Sequence, residues 1–284
     1  MKEYTNVVRM NKYMLDYFDS ADTIYIQEKL DGANASFDLV DGVVHAYSRK
    51  TELSPDNTLR GFLGFANSIP SNLINKDYIY FGEWLVKHQI DYGEHLNKFY
   101  LFDVYEKTTE KYLGWETVQN EAERIGLLTV PLFYSGEFVS DDHINSFAGK
   151  SFFVEDGKGE GVVVRNYNYE GDDKFLKYKN EKFSEFKIPK VPRVADELDY
   201  YISSFVVKAR VEKLLYKLVD EGIIQEKYTI KDLGLILRSL NKRVADDVVK
   251  EEEMPDGFTI NDMYARVSKK VPAIVKDILF SEVV

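Results

Sequence analysis

Residues 28–34 carry the most informative motif of this sequence, Glu28-Lys29-Leu30-Asp31-Gly32-Ala33-Asn34. The motif follows the strand-like run Thr23-Ile24-Tyr25-Ile26. A Lys-x-Asp-Gly element at the end of a strand can place an amine against the α-phosphate of a nucleotide. That amine can attack and retain the nucleotide as a covalent adduct. A tetrapeptide of this kind also arises by chance, so its meaning depends on the residues that follow it.

The composition describes a chain of 284 residues that can form one large domain or two smaller ones. Hydrophobic residues make up 44% of it, enough for a substantial core, and the lack of cysteine excludes disulfides and cysteine nucleophiles. No apolar run approaches the ~20 residues of a membrane span. The first residues show no signal-peptide pattern. We therefore expect a soluble, cytoplasmic protein with no membrane partner.

The charge of the chain is unevenly distributed. The formal net charge of -11 argues against a general nucleic-acid binder, because such binding relies on Lys and Arg to neutralise phosphates. The segment from Lys174 to Arg193 is an exception, with seven cations against two anions. Net charge is a sum over the whole chain, whereas a binding face is local. The sequence therefore remains compatible with an enzyme that has one basic groove.

Residues up to about Pro192 alternate strand patterns with turns. Besides the run before Lys29, strands are predicted at 36–40 and 43–47, joined by an Asp41-Gly42 hairpin turn, and at 78–86, 98–105 and 160–165. Helices are predicted at 57–68, 117–125 and 141–147. This mixture predicts an α+β domain of antiparallel sheets with flanking helices.

The pattern changes at Pro189 and Pro192, which disfavour helix and mark a connector. Beyond them, apolar residues recur with helical periodicity at 198–205, 211–218, 233–249 and 261–279, and Pro272 is expected to interrupt the last of these segments. We predict one domain over residues 1–192 and a small all-helical domain over residues 193–284.

A lysine nucleophile requires particular neighbours. The free amine has a pKa near ~10.4 and attacks only in its neutral form, which nearby cations such as Lys177 and Lys179 favour. The departing pyrophosphate needs its charge neutralised by these lysines and by Mg²⁺, for which Glu160 is a candidate ligand. The ribose needs polar partners and the purine a flat apolar one. Candidates for these contacts are Arg49, Glu83 and Phe102, with Phe99 as the alternative to Phe102.

With these residues in order, the chain resembles the covalent nucleotidyltransferase superfamily, which includes ATP-dependent DNA and RNA ligases and mRNA-capping guanylyltransferases. Five superfamily motifs and the added adenine-stacking motif span roughly residues 28–180. They are Lys29-Leu30-Asp31-Gly32, Ser48-Arg49-Lys50, Tyr80-Phe81-Gly82-Glu83, Phe99-Tyr100-Leu101-Phe102-Asp103, Glu160-Gly161-Val162-Val163-Val164-Arg165 and Phe175-Leu176-Lys177-Tyr178-Lys179-Asn180.

Within the superfamily the chain is similar to the phage-type RNA ligase 2 family. The run from Lys177 to Glu185 resembles that family's Lys-x-Lys-Asn…Phe-Ser-Glu ending, and both have a helical C-terminal segment. DNA ligases and capping enzymes usually continue into a β-rich domain instead. One departure is Asp31, at a position where RNA ligase 2 proteins often carry His. Asp31 either shapes the turn or lies beside the metal.

The resemblance implies a nucleotidyltransferase domain and a three-step reaction. Lys29 takes AMP from ATP, the AMP passes to an RNA 5′-phosphate, and a 3′-hydroxyl displaces it. The resemblance also implies the roles of individual residues. Arg49 and Glu83 hold the ribose, Phe102 stacks on adenine, Glu160 organises Mg²⁺ or Mn²⁺, Lys177 and Lys179 grip the α-phosphate, and Glu28, Leu30 and Asn34 line the nucleotide pocket.

The implied substrate is RNA with a nick in a duplex or an RNA–DNA hybrid, sealed by a monomer in a bacterial or phage-infected cytosol. The helical domain is expected to contact nucleic acid through a local basic face. Two alternatives lie in the same superfamily: an ATP-dependent DNA ligase and a capping-type guanylyltransferase. A third, an inactive module that binds nucleic-acid ends, is disfavoured because no motif residue is missing.

Overall fold

The computed structural model describes residues 2–5, 7–9, 17–18, 22–169, 175–180, 197–252, 254 and 258–281. The chain divides into two compact units, Met1–Lys182 and Phe183–Val284. The boundary expected near residue 193, and the part of the basic segment at 174 and 181–193, lie outside the described residues and stay predictions. Within the described ranges, no helix is both long enough and apolar enough to cross a bilayer.

The strands of the first unit form two sheets. In chain order they are Val8–Arg9 (β1), Thr23–Glu28 (β2), Ala33–Val40 (β3), Val43–Ser48 (β4), Tyr78–Trp84 (β5), Phe99–Glu106 (β6), Lys111–Tyr112 (β7), Leu128–Thr129 (β8), Leu132–Glu137 (β9), Gly161–Arg165 (β10) and Phe175–Lys179 (β11). One sheet has the order β1-β11-β10-β2-β9, and the other has the order β4-β3-β5-β6-β7 with β8 beside β6. Neighbouring strands are antiparallel apart from β1 with β11 and β6 with β8.

The strands predicted from the sequence are all present, with ends shifted by up to three residues. The β3–β4 hairpin turns at Asp41 and Gly42, whose φ angles of 50° and 80° are both positive. Two positive φ angles at the centre of a two-residue turn match the right-handed twist of the flanking strands. The Asp-Gly hairpin prediction is therefore confirmed, as is the α+β class of this unit.

The helices of the first unit are Phe62–Ser68 (α1), Trp115–Ile125 (α2) and Asp141–Asn145 (α3). The start predicted for α1 at residue 57 is wrong. Leu59, Arg60 and Gly61 have φ angles of 49°, 51° and 98°, and left-handed residues cannot continue a right-handed helix. The helix therefore begins only at Phe62, which is buried under β4 together with Ala66.

The second unit is all-helical over its described residues. Its helices are Glu197–Phe205 (α4), Lys208–Asp220 (α5), Leu233–Glu251 (α6) and Ile260–Ser281 (α7). They enclose one core, to which α6 contributes Ile236, Leu240, Val244, Ala245 and Val248. The apolar faces predicted for these helices are the buried ones.

The interruption of the last helix at Pro272 is a wrong prediction, because α7 runs through it. A proline inside a helix removes one hydrogen bond and costs about 3 kcal/mol. Val267, Val271 and Val275 are fully buried on the same helix. Burial of each is worth about 1.5–3 kcal/mol, so packing of this face outweighs the loss.

Candidate active site

Three adjacent strands bring motifs from distant parts of the sequence to one end of the five-stranded sheet. Lys29 follows the end of β2, Glu160 precedes β10, and Lys179 is the last residue of β11. The Lys29 amide donates to the Gly161 carbonyl at 3.0 Å, and the Asn180 amide donates to the Glu160 carbonyl at 2.9 Å. The backbone therefore fixes the nucleophile candidate beside the metal-ligand candidate.

The side chains at this sheet end form a small charged centre. Lys29 Nζ lies 2.6 Å from Glu160 Oε2, and Lys179 Nζ lies 3.9 Å from Glu160 Oε1. The exposed side-chain fractions are 24% for Lys29, 9% for Glu160 and 12% for Lys179, so the pair is largely shielded while the nucleophile remains accessible. In this arrangement Lys29 is an ion-pair partner of Glu160. Attack on phosphorus requires the amine to leave that pair and lose its proton.

Two glycines allow the close backbone approaches around this centre. A Cβ on Gly32 would lie 2.6 Å from the Trp84 carbonyl oxygen, and a Cβ on Gly161 would lie 2.1 Å from the Tyr178 carbonyl oxygen. Real Cβ atoms do not tolerate such distances. Residues 29–32, between β2 and β3, carry Lys29 and are here called the nucleophile loop. Glycine is therefore required where this loop passes β5 and where β10 begins against β11.

Glu83 is attached to the nucleophile loop. Its Oε1 accepts a 3.0 Å hydrogen bond from the Gly32 amide, and Asn34 lies directly opposite it on β3. Directly opposed residues in antiparallel strands point to the same face, so Glu83 and Asn34 share one side of the sheet. Burial raises the pKa of Glu83 to about 8, and the nearby Lys29 charge only partly counteracts this effect. At neutral pH its carboxyl is therefore mostly protonated and can donate a hydrogen bond.

Asp31 is held by residues that follow β5. Its Oδ2 accepts hydrogen bonds from the Gln89 amide at 2.8 Å and the Ile90 amide at 3.1 Å, while its own amide donates to Tyr92 Oη at 2.8 Å. His88 Nδ1 lies 3.6 Å from Asp31 Oδ1. Burial alone would raise the pKa of Asp31, but His88, Lys29 and the Ile90 amide together hold that pKa below its ordinary value.

Glu28 points into a buried hydrogen-bonding niche. Ser151 Oγ donates to its Oε1 at 2.5 Å and the Phe152 amide donates to its Oε2 at 2.9 Å. Burial raises the pKa of Glu28, and these two hydrogen bonds partly offset the rise. Both carboxylate oxygens therefore fasten the segment before Glu160 to the end of β2. Leu30, two residues along the chain, is buried.

The remaining site candidates are Arg49, Phe102 and Lys177. Arg49 Nε is 3.6 Å from Glu3 Oε1. Phe102 is buried, with its ring centroid 4.9 Å from that of Tyr4 and 5.3 Å from the Arg165 guanidinium carbon. Lys177 is half-buried on β11 and shares a strand face with Lys179, as their spacing of two predicts. The assignments of ribose, adenine and α-phosphate contacts to these residues stay predictions.

A buried polar cluster between the sheets was not foreseen from the sequence. Arg165 and Asp103 form a fully buried ion pair, and the Asp103 carboxylate accepts hydrogen bonds from Tyr4 and, at 2.9 Å, from Tyr167. Arg165 Nε also donates to Gln27 Oε1 at 2.5 Å. Each of these charged residues sits in an otherwise apolar strand. A charge in such a strand needs a buried partner, and this requirement could have predicted the cluster from the sequence.

The described residues of this site offer few oxygen ligands for a divalent cation. Among the described residues, no three His, Asp or Glu side chains are grouped so that they could hold a metal. Mg²⁺ is commonly held by one or two carboxylates together with waters and substrate phosphates. Glu160 can provide one such carboxylate, so a cation here would be held mainly between Glu160 and the nucleotide.

A family model described as RNA ligase matches residues 22–179, more than half of the chain. No curated protein matches. Similar solved structures include forms of an RNA ligase from Naegleria gruberi. A mutant with ATP and Mn is 18% identical with a TM-score of 0.47, over 63% of this chain and 56% of that one. The form with PPi is 18% identical with a TM-score of 0.49, over 64% and 57%. The chain thus spans just over half the length of the solved structures that it matches.

Proposed function

The chain belongs to the RNA ligase family, and on that premise we propose that it is an ATP-dependent RNA ligase that joins 3′-hydroxyl and 5′-phosphate ends through a lysyl-AMP intermediate. One observation carries the proposal. Lys29 and Lys179 are far apart in the sequence of the first unit, yet the amines of both lie within 4 Å of the carboxylate of Glu160. A shielded lysine beside a candidate metal ligand and a second cation has the groups that phosphoryl transfer needs.

In the first step the uncharged amine of Lys29 attacks the α-phosphorus of ATP. A P–N bond forms, the bond to the β-phosphate oxygen breaks, and pyrophosphate leaves with that electron pair while the amine loses its proton. Lys179 stabilises the charge that develops on the α-phosphate, and Lys177 assists from the same strand face. Glu160 would hold the divalent cation, which neutralises phosphate charge when it is bound.

In the second step an RNA 5′-phosphate oxygen attacks the same phosphorus, the P–N bond breaks, and Lys29 is regenerated. A 3′-hydroxyl oxygen then attacks the 5′-phosphate, loses its proton, and displaces AMP. Glu83, protonated at neutral pH and fastened to Gly32, can donate a hydrogen bond to a ribose hydroxyl. Arg49, Phe102, Glu28, Leu30 and Asn34 complete the proposed nucleotide pocket.

Labelling tests the first step directly. Wild-type protein incubated with α-labelled ATP and Mg²⁺ should acquire a label that acid releases and alkali does not, as expected for a P–N bond. Lys29→Ala should acquire none. Lys76→Ala, which removes an exposed lysine on a distant turn, should label like the wild type. Label on Lys29→Ala, or none on the wild type, would refute the proposal.

The substrate is proposed to be nicked duplex RNA or an RNA–DNA hybrid. Parallel sealing assays on nicked RNA, nicked DNA and hybrids, each with ATP or GTP, separate this reading from its alternatives. Preference for DNA ends would indicate a DNA ligase, and a GMP adduct would indicate a capping-type enzyme. Binding of ends without any adduct would indicate an inactive module. We further propose that the protein acts as a monomer in a bacterial or phage-infected cytosol.

The helical domain over residues 193–284 is proposed to hold the polynucleotide rather than the nucleotide. Removing it by ending the chain at Pro192 should preserve lysyl-AMP formation and impair sealing. If the shortened chain seals ends at the rate of the full-length chain, the helical domain does not hold the polynucleotide for sealing.

A further inference from the structure

One face of α6 is exposed and basic. The helix buries the residues that line the core of the second unit. The exposed residues on the other side include Lys231, Leu235, Arg238 and Lys242, here called the α6 stripe, and Asp246, which continues the same row one turn further on. Their spacings of four, three and four place them in one row. Lys231 lies in the short turn that leads directly into α6. At a rise of ~1.5 Å per residue the stripe is roughly 16 Å long.

The three cations of the stripe have no ionic partner within the described residues of this unit. Several other cations in the same unit are paired: Arg210 with Asp247 and Glu252, Lys213 with Asp247, Arg243 with Glu221, and Arg266 with Asp199. The stripe cations therefore contribute no ion pair to the fold, and their positive charge is available to a ligand.

Two carboxylates adjoin the stripe in the sequence, and each accepts hydrogen bonds from a residue of the same unit. Asp232 accepts hydrogen bonds from the amide and hydroxyl of Thr229. Asp246, one turn beyond Lys242, accepts a hydrogen bond from the Tyr264 hydroxyl. Leu235 and Ile230 are 50% and 45% exposed beside the cations. The surface thus presents cations in a row, and cationic side chains are the groups that bind the phosphates of a nucleic-acid backbone.

We propose that the α6 stripe binds the phosphate backbone of the RNA substrate. The inference rests on the proposed ligase function and specifies which surface of the helical unit holds the polynucleotide. The overall charge of -11 repels a polyanion, so binding must come from local rows of cations. The stripe supplies such a row, and its three cationic side chains are spread along about three turns of helix rather than gathered in one anion pocket.

The test uses full-length protein and labelled nicked RNA duplex, with binding followed by fluorescence anisotropy over a range of salt concentrations. Arg238→Glu/Lys242→Glu should bind at least ~10-fold more weakly than the wild type, because two phosphate contacts become repulsive. The neutral pair Arg238→Gln/Lys242→Gln should reduce the slope of log affinity against log salt by roughly 1.5, at ~0.7–0.9 per phosphate lost. Glutamine keeps the helix propensity of these positions.

The matched control is Lys269→Glu/Lys276→Glu, which makes the same charge change at two exposed positions of α7. If RNA contacts the α6 stripe, and the net charge of the protein does not determine the affinity, this control should lose less than ~2-fold in affinity for RNA. Equal losses in both pairs, or no loss in the α6 pair, would overturn the proposal, and in the second case the stripe would be left for a protein partner.

Lysyl-AMP formation separates this inference from the proposed function. The α6 variants should form the adduct at the wild-type rate, since none of their substituted side chains belongs to the nucleotide site. If the wild type forms no adduct, the ligase function fails, whatever the RNA affinities. If the adduct forms and the α6 variants bind RNA normally, the inference alone fails.

Discussion

Asp31 and His88 hold the nucleophile loop against the segment that follows β5. His88 Nδ1 lies 3.6 Å from Asp31 Oδ1, and Arg60 donates to His88 Nε2 at 3.1 Å. That donor directs the proton of a neutral imidazole to Nδ1, the nitrogen that faces Asp31. Of the two roles left open for Asp31 by the sequence, this arrangement favours shaping and fixing the turn that carries Lys29.

The first prediction concerns that contact. His88→Ala should slow lysyl-AMP formation about tenfold with little change in the KM for ATP, because the loop loses its fixed position while the pocket remains. Loss of a buried hydrogen-bonding partner should also cost about 1–3 kcal/mol in the free energy of unfolding. His45→Ala is the matched control, since His45 pairs with Glu52 and both side chains are partly exposed. Equal behaviour of the two variants would contradict a positioning role.

The second prediction concerns the pH dependence of Glu83. Its pKa is about 8 in the folded protein, against 4.5 ordinarily, so the folded state binds the extra proton between those values. Stability from this group is fully present below about pH 4.5 and is lost as the pH rises toward 8. The difference in Tm between Glu83→Gln and the wild type should therefore shift in favour of the variant as the pH rises from 5 to 8. Thermal unfolding of both proteins at each pH measures this difference. A constant difference would show that Glu83 has no raised pKa.

The third prediction concerns Glu160. Glu160→Gln keeps the shape but removes the anion between Lys29 and Lys179 and the candidate cation ligand. We expect lysyl-AMP formation to fall at least ~100-fold, as is typical when a charge that stabilises the transition state is lost. Glu155→Gln, in the exposed segment five residues earlier, should react normally. Titration with Mg²⁺ and Mn²⁺ should show a raised metal requirement in Glu160→Gln, and an unchanged one would remove Glu160 from the metal site.

The fourth prediction concerns the buried pair of Asp103 and Arg165. Asp103→Ala leaves the guanidinium buried without its anion, which should cost about 3–5 kcal/mol in urea unfolding. The double variant Asp103→Leu/Arg165→Met should recover much of that loss, because well-packed apolar residues can replace a buried ion pair. If the double variant is less stable than Asp103→Ala alone, the cost would come from packing and not from the unpaired charge.

Lys29, Glu160 and Lys179 were expected near one another because a lysine nucleophile needs a second cation and a metal ligand beside it. The family resemblance also supplied their order, which local patterns could not. The hairpin at Asp41-Gly42 and the apolar helix faces are local features, and both could be predicted from short windows of residues.

The contacts that escaped prediction join loops with no regular period. The partners of Asp31 lie between β5 and β6, and those of Glu28 lie in the segment before Glu160. Nothing in their spacing indicates that they meet, because the meeting depends on how the two sheets approach. The wrong start of α1 has a similar origin, since three successive left-handed residues are not apparent from the residue types Leu59 and Arg60.

The pairing of β1 with β11 has a consequence for synthesis on the ribosome. Val8 adds to the sheet beside Leu176, and Lys29 meets Glu160 across 131 residues of chain. The nucleophile is therefore made well before its partners, which follow only when nearly all of the first unit has been translated. A ribosome-bound fragment that ends before Glu160 lacks that carboxylate and both motif lysines, and it leaves β2 without its β10 neighbour. Such nascent chains would be inactive toward ATP and dependent on chaperones until β11 closes the sheet.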